Sequence, residues 1–313
     1  MSAANSRRET LHYTSGTMIL LATAIMWGVQ FPVAKSAFET VNAFHAAVYR
    51  FGIATAILIV ILASLEGRTA FKVNRESVRV WFAGFLGMCG APTLIFGGLM
   101  FTRPEIAAII VATQPIMAVL VQRFAGGELP GWRTISCVLL AFIGVITVVT
   151  EWNADLLQSP LEMWGNLMVL TGALCWVLYT FACGQYSHWS NLRLTTWSMT
   201  SGLLGNILVV VVLVSLGLLM HPLADDWYQA RYELTFLTYI GVLMGMFAWT
   251  AGSRRVGALN AMLFTNLIPV STFFVRYLQG YRFSLLELSG ALMVISALIL
   301  QNLALRRRLA QAQ

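Results

Sequence analysis

The chain has 313 residues, of which 58% are hydrophobic and only 11% charged, and its mean hydropathy is +0.74. A soluble domain of this size has too little interior to hide so much apolar surface, which excludes an ordinary water-soluble enzyme or binding module. The formal charge of +7 would suit nucleic acid, yet the charges sit in short islands between apolar runs of a length that crosses a hydrocarbon core of about 30 Å.

In chain order, the runs predict ten spans. After a tail over residues 1–15 containing Arg7 and Arg8, the first is Gly16–Ala34, too long for a signal peptide and without a small-x-small cleavage site after it, so it is expected to stay as a helix. Within it Trp27, Gln30 and Phe31 share one helical face. The second span, Ala43–Ser64, carries Arg50, the one basic residue placed clearly inside a span. There it would either attract a substrate carboxylate, with Lys35 as a second cation, or snorkel outward and pair with Glu39. The third, Val80–Met100, offers Gly84, Gly87 and Gly90 for close helix packing, then Thr93 and Phe96 as cavity candidates. The fourth, Glu105–Val121, holds Thr113, Gln114 and Pro115 and leads through Gly126-Gly127-Glu128 to the fifth, Trp132–Thr150. Glu128, near Arg123 and Arg133, reads as a structural pair at the cytoplasmic end.

A linker over residues 151–162 leads to the sixth span, Met163–Cys183, where Trp176, Tyr179 and Thr180 repeat the pattern of the first. The seventh and eighth are Leu194–Leu219 and Leu234–Gly252, the latter with Trp249 and Thr250. The ninth, Leu259–Gln279, carries Asn266 and Pro269, and the tenth, Leu286–Leu305, ends in a basic tail over 306–313. Pro115 and Pro269 are expected to break their helices, freeing the carbonyls of Val111 and Thr265 for a binding site or leaving only a packing kink. A tryptophan beside a hydrogen-bonding group would hold an amphipathic substrate, with ordinary packing as the competing reading. Trp81, Trp132 and Trp164 begin spans and suit the headgroup belt.

Loop charge orients the spans. With the N-terminus inside, fourteen of the twenty basic residues fall on the inner side and only Lys35, Arg103, Arg231, Arg276 and Arg282 on the outer, which places both termini in the cytoplasm. Cys89, Cys137, Cys175 and Cys183 read as reduced packing residues, and the four histidines form no metal cluster, so neither metal nor cofactor is expected. No nucleotide-binding loop, catalytic carboxylate pair or nucleophile with its base is evident, so the chain does not read as an enzyme or an ATP-driven pump. All thirteen acids lie at span ends or in loops, which favours movement down a substrate gradient over proton coupling.

The two halves echo one another. Met26-Trp27 matches Cys175-Trp176, and Ala107-x7-Pro115 matches Ala261-x7-Pro269. Five spans per half is odd, so residues 163–305 must lie upside-down relative to 16–150, a recurring plan of secondary transporters. Trp27-Gly28-x-x-Phe31, Arg50-Phe51, Pro115 followed by Gly127-Glu128, Asn266-Leu267-Ile268-Pro269 and Gly290-Ala291-Leu292-Met293 stand in an order that resembles the drug/metabolite transporter superfamily, specifically its EamA-type exporters. One departure is Gly280-Tyr281 where that family usually carries Gly-Glu. The resemblance implies an all-α protein of a bacterial inner membrane, a substrate cavity between the halves near the midplane, and export by alternating access. Its partners would be lipid and a small amphipathic metabolite, such as an amino acid, a related carboxylate or a drug-like compound, and it would work as a monomer or homodimer without nucleic acid. An uptake or exchange facilitator, a channel and a non-transporting scaffold are the alternatives.

Overall fold

The computed structural model describes residues 3–124, 131–150, 152 and 159–311, and among the described residues it is all helix with no strand. The first half comprises α1 (Ala3–Ala37), α2 (Ala43–Glu66), α3 (Arg75–Gly84), α4 (Ala91–Leu99), α5 (Pro104–Val111), α6 (Gln114–Phe124) and α7 (Trp132–Thr150). The second comprises α8 (Pro160–Gly184), α9 (Asn191–Ser215), α10 (Ala224–Gln229), α11 (Arg231–Phe236), α12 (Gly245–Val256), α13 (Ala258–Met262), α14 (Leu267–Leu278) and α15 (Leu285–Gln311).

Eight helical stretches are long and apolar enough to cross a membrane, and they make this a multi-pass membrane protein. They are Tyr13–Ala37, Ala43–Glu66, Arg75–Leu99, Pro104–Phe124, Pro160–Gly184, Asn191–Ser215, Arg231–Val256 and Asn260–Leu278. Where the sequence places the fifth and tenth spans, helices α7 and α15 are present, but their apolar stretches, Ile135–Val148 and Leu285–Ala297, are shorter. Those two pack on one another with Gly144 against the backbone of Gly290. The first span also begins earlier than expected. Nothing before Pro32 breaks the helix, so α1 extends back to Ala3 through most of the predicted tail.

The halves interlock through their first helices. Helix α1 packs against α12 and α14 of the second half, while α8 packs against α4, α5 and α6 of the first. Close approach requires glycine at these crossings: a methyl group on Gly28 would lie 2.5 Å from the Ile268 carbonyl oxygen, and one on Gly98 2.4 Å from that of Gly165. The glycines of the third span serve the same purpose, since Gly84 abuts the Ser198 backbone of α9 and Gly87 lies beneath the Tyr179 ring of α8.

Irregular backbone falls in matching places. A π-helical stretch, Phe85–Gly90, joins α3 to α4, and another, Leu237–Met244, joins α11 to α12. Helix α5 ends two residues before α6 begins, and a tight 3₁₀ turn, Leu263–Asn266, separates α13 from α14. The prolines of these breaks differ from expectation: Pro115 and Pro269 do not kink a continuous helix but lie in the first turn of a restarted one, where no N–H is needed. Two further prolines free carbonyls of their own. Pro32 leaves the Gly28 carbonyl without its helical donor, and the Thr272 hydroxyl of α14 lies 2.8 Å from it. Pro92 does the same to Met88, whose oxygen accepts from Asn206 Nδ2 at 3.1 Å. Asn206 Oδ1 in turn accepts from Thr93 Oγ1 at 2.7 Å. Asn206→Leu would leave the Met88 carbonyl and the half-buried Thr93 hydroxyl without this partner, and is expected to lower the unfolding free energy by about 2 kcal/mol, read as a drop in thermal midpoint of the purified protein in detergent.

Candidate functional site

A cavity with about 450 Å³ of empty space, including its mouth, opens where the two first helices meet the broken ones. Trp27, Gln30 and Phe31 of α1, Phe96 of α4, Gln114 of α6 and Trp176 of α8 all line it. The sequence nominates these six as site residues and the structure brings them together around one space. Ile95, Met246 and Ile268 complete apolar parts of the wall. They carry no polar signature and cannot be told from core residues by type.

Three indoles cluster there, Trp27 and Trp176 in the wall and Trp249 behind them. Trp27 lies 5.2 Å from Trp176 and 5.0 Å from Trp249, ring centre to centre, and Trp176 lies 5.8 Å from Trp249. Such pairs hold each other by edge and offset contacts worth about 1 kcal/mol beyond burial. Trp27 Nε1 donates to the Gly241 carbonyl at 3.1 Å, inside the second π stretch. Gly241 and Gly245 make room for this face. A methyl on the first would lie 2.6 Å from Gln30 Oε1, and one on the second 2.5 Å from Trp27 Nε1. Their small-x-x-x-small spacing is the sequence signal for that approach. Trp249 Nε1 donates to Thr180 Oγ1 at 3.2 Å. Trp176 Nε1 and Gln114 Oε1 are buried with no hydrogen-bond partner, although Gln114 Nε2 donates to the Ala173 carbonyl at 3.4 Å. Phe31 and Phe96 stack at 5.9 Å.

The other nominated residues lie elsewhere. Trp249 supports the indole cluster, Tyr179 packs on Gly87 with its ring 5.3 Å from Trp176, and Thr93 turns to Asn206. Asn266 sits in the 3₁₀ turn with a buried, unpartnered Oδ1. Glu128 and the Gly126-Gly127 turn lie outside the described residues. Lys35 does not face the cavity as a free cation. Its ammonium donates to the carbonyls of Leu99, Met100 and Thr102 at 2.8, 3.1 and 3.0 Å, closing the end of α4. Lys35→Met is expected to unravel that helix end, measured as faster amide hydrogen exchange at Met100 to Arg103. Arg50 neither snorkels nor reaches Glu39, because α2 holds it inward. It is 2% exposed, 3.4 Å from Gln30 Oε1, with its guanidinium 4.7 Å from the Phe96 ring centre.

At one end of the bundle, ion pairs tie one half to the other. Arg103, before α5, bonds Glu287 of α15 at 2.7 Å, and Arg276 of α14 bonds Glu105 of α5 at 3.3 Å. Both carboxylates are buried. Tyr281 bridges the first pair, accepting from Arg103 at 2.8 Å and donating to Glu287 at 2.9 Å. Burial, with the bond to Glu287, pushes its hydroxyl up to about 12, so it remains a donor at any physiological pH. The residue that departs from the usual Gly-Glu thus joins this cluster.

The EamA-like transporter family model matches residues 14–150 and again 163–303. The transporter YrdR of Bacillus subtilis, itself uncharacterized, is 26% identical over 93% of this chain and 92% of its own length. A WAT1-related chloroplastic protein of Arabidopsis thaliana is 24% identical over 91% of this chain and 68% of its own. A solved crystal structure superposes with a TM-score of 0.69 at 18% identity, covering 94% of this chain and 98% of that one, and that likeness carries the fold alone.

Proposed function

The chain belongs to the EamA-like transporter family, and from that premise we propose that it is a secondary carrier exporting a small, partly apolar metabolite across a bacterial inner membrane. The observation that carries this reading is the cavity itself. The first helix of each half contributes a tryptophan to it, and two of its polar groups, Trp176 Nε1 and Gln114 Oε1, are buried without partners. Orphaned polar groups of this kind cost about 1–3 kcal/mol each and are retained where a ligand or a second conformation satisfies them.

Ten spans in two inverted halves, with both termini inside, are part of the same reading. The paired π stretches and paired helix breaks support it, as does the packing of each first helix into the opposite half. Alternating access would then rock the halves about the indole cluster, with the Arg103–Glu287 and Arg276–Glu105 pairs closing the outer end.

An untargeted comparison of medium and cell metabolites, with and without expression, tests the function. Expression is expected to raise one species in the medium, and Trp176→Ala and Gln114→Ala to reduce it. A species unaffected by either substitution would show that the cavity is not its route. Buried acids pair with arginines at the bundle end, so flux in proteoliposomes is expected to follow the substrate gradient. An imposed pH gradient that drives transport without a substrate gradient would refute that part.

A further inference from the structure

Arg50 is a buried cation with nothing to neutralise it. The residue is 2% exposed, its Nε has no partner, and among the described residues no carboxylate pairs with it. The buried acids Glu105 and Glu287 are taken by Arg276 and Arg103. What Arg50 does have is the Oε1 of Gln30 at 3.4 Å and the face of Phe96 at 4.7 Å. A neutral acceptor at that distance and one ring offset little of the cost of a charge held within a membrane bundle.

The contact fixes the Gln30 amide. Arginine offers donors only, so the amide must turn its oxygen to Arg50 and its NH₂ away from it. Gln30 lines the cavity. Its side chain therefore presents N–H groups to that space, polarised by a full positive charge behind them. An anion placed there would gain charge-assisted hydrogen bonds and neutralise the guanidinium in a low dielectric.

We propose that Gln30, backed by Arg50, is the subsite for a substrate carboxylate, so that the carrier moves a small monoanion with a compact apolar or aromatic body lying on Trp27, Phe31 and Phe96. One cation faces the subsite, since Lys35 spends its donors on three backbone carbonyls, so a singly charged carboxylate fits better than a dianion. Arg50 acts here as a positioning residue and counter-charge, and Gln30 makes the contact. The inference rests on reading the cavity as the transport site.

The test uses the full chain in lipid nanodiscs, with quenching of the indole fluorescence as the readout and three probes of one shape: phenylacetate, phenylacetamide and phenethylamine. Phenylacetate is expected to bind about tenfold or more tightly than the amide, and the amine weakest. Arg50→Gln should erase the preference. Gln30→Glu supplies Arg50 with its own carboxylate and keeps the buried charge paired, so it should erase the preference without threatening folding. Equal binding of acid and amide in the wild type, or a preference that survives Gln30→Glu, would overturn the carboxylate subsite while leaving the transport reading intact. No saturable response to any of the three would count against the cavity as a binding site, and against this inference with it.

Discussion

Trp27→Ala is expected to abolish export and to cost the protein about 3–5 kcal/mol of stability, the range for removing a large buried aromatic side chain. Trp27 is 6% exposed and touches both other indoles, one from α8 and one from α12, so it joins the first half to two helices of the second. Its loss also leaves the Gly241 carbonyl without its donor in a π stretch. Trp27→Phe separates the two effects. It keeps a smaller aromatic ring against Trp176 and Trp249 while removing the N–H and part of the ring, so it should retain more of the fold than alanine and lose about 1–3 kcal/mol for the orphaned carbonyl besides the lost contact. Thermal unfolding in detergent reads stability, and export of the accumulated species reads function. An alanine variant with wild-type export would mean that the indole cluster is packing alone.

Breaking the outer ion pairs should have the second large effect. Glu287 and Glu105 are 1% and 0% exposed, whereas their arginines are about a quarter to a third exposed. Removing either partner leaves the other charge unpaired, a cost in the range of about 3–5 kcal/mol for fully buried pairs and less here because solvent reaches the arginine. Because both pairs join opposite halves, under the proposed mechanism that energy would hold the outer end closed, and each 1.4 kcal/mol removed from a latch shifts the equilibrium about tenfold. Glu287→Gln is expected to open the outer end. A cysteine introduced at Phe31 in a cysteine-free background should then react about tenfold or more faster with a membrane-impermeant maleimide added outside. The reversed pair, Arg103→Glu with Glu287→Arg, should restore slow labelling. Unchanged labelling in Glu287→Gln would remove the latch role.

The spans were legible because a membrane demands long apolar runs and leaves little choice of structure: eight of the ten expected stretches appear as long apolar helices at nearly the expected bounds. The lining of the candidate site was legible where polar or aromatic residues stood out against lipid-like neighbours. Trp27, Gln30, Phe31, Phe96, Gln114 and Trp176 line one cavity for that reason. Hydrophobic periodicity could not reveal the π stretches, since a shift from i−4 to i−5 bonding leaves composition untouched. The helix breaks at Pro115 and Pro269 were legible, whereas the part played by Pro32 and Pro92 was not. A helix that has already ended asks nothing of Pro115 or Pro269, while the carbonyls four residues before Pro32 and Pro92 do need donors. Thr272 and Asn206, which supply them, come from distant parts of the chain that local patterns cannot connect. Lys35 was misread because charge alone does not distinguish a cation facing a cavity from one closing a helix end.

The central claim, a carrier working through the cavity between the halves, is tested most directly by counterflow in proteoliposomes with the exported species. Vesicles preloaded with unlabelled compound should take up labelled compound above its equilibrium level, transiently and with saturation, and Trp176→Ala should remove the overshoot. Uptake that rises linearly with concentration and never overshoots would contradict a carrier and leave a channel, and no protein-dependent uptake would leave a scaffold.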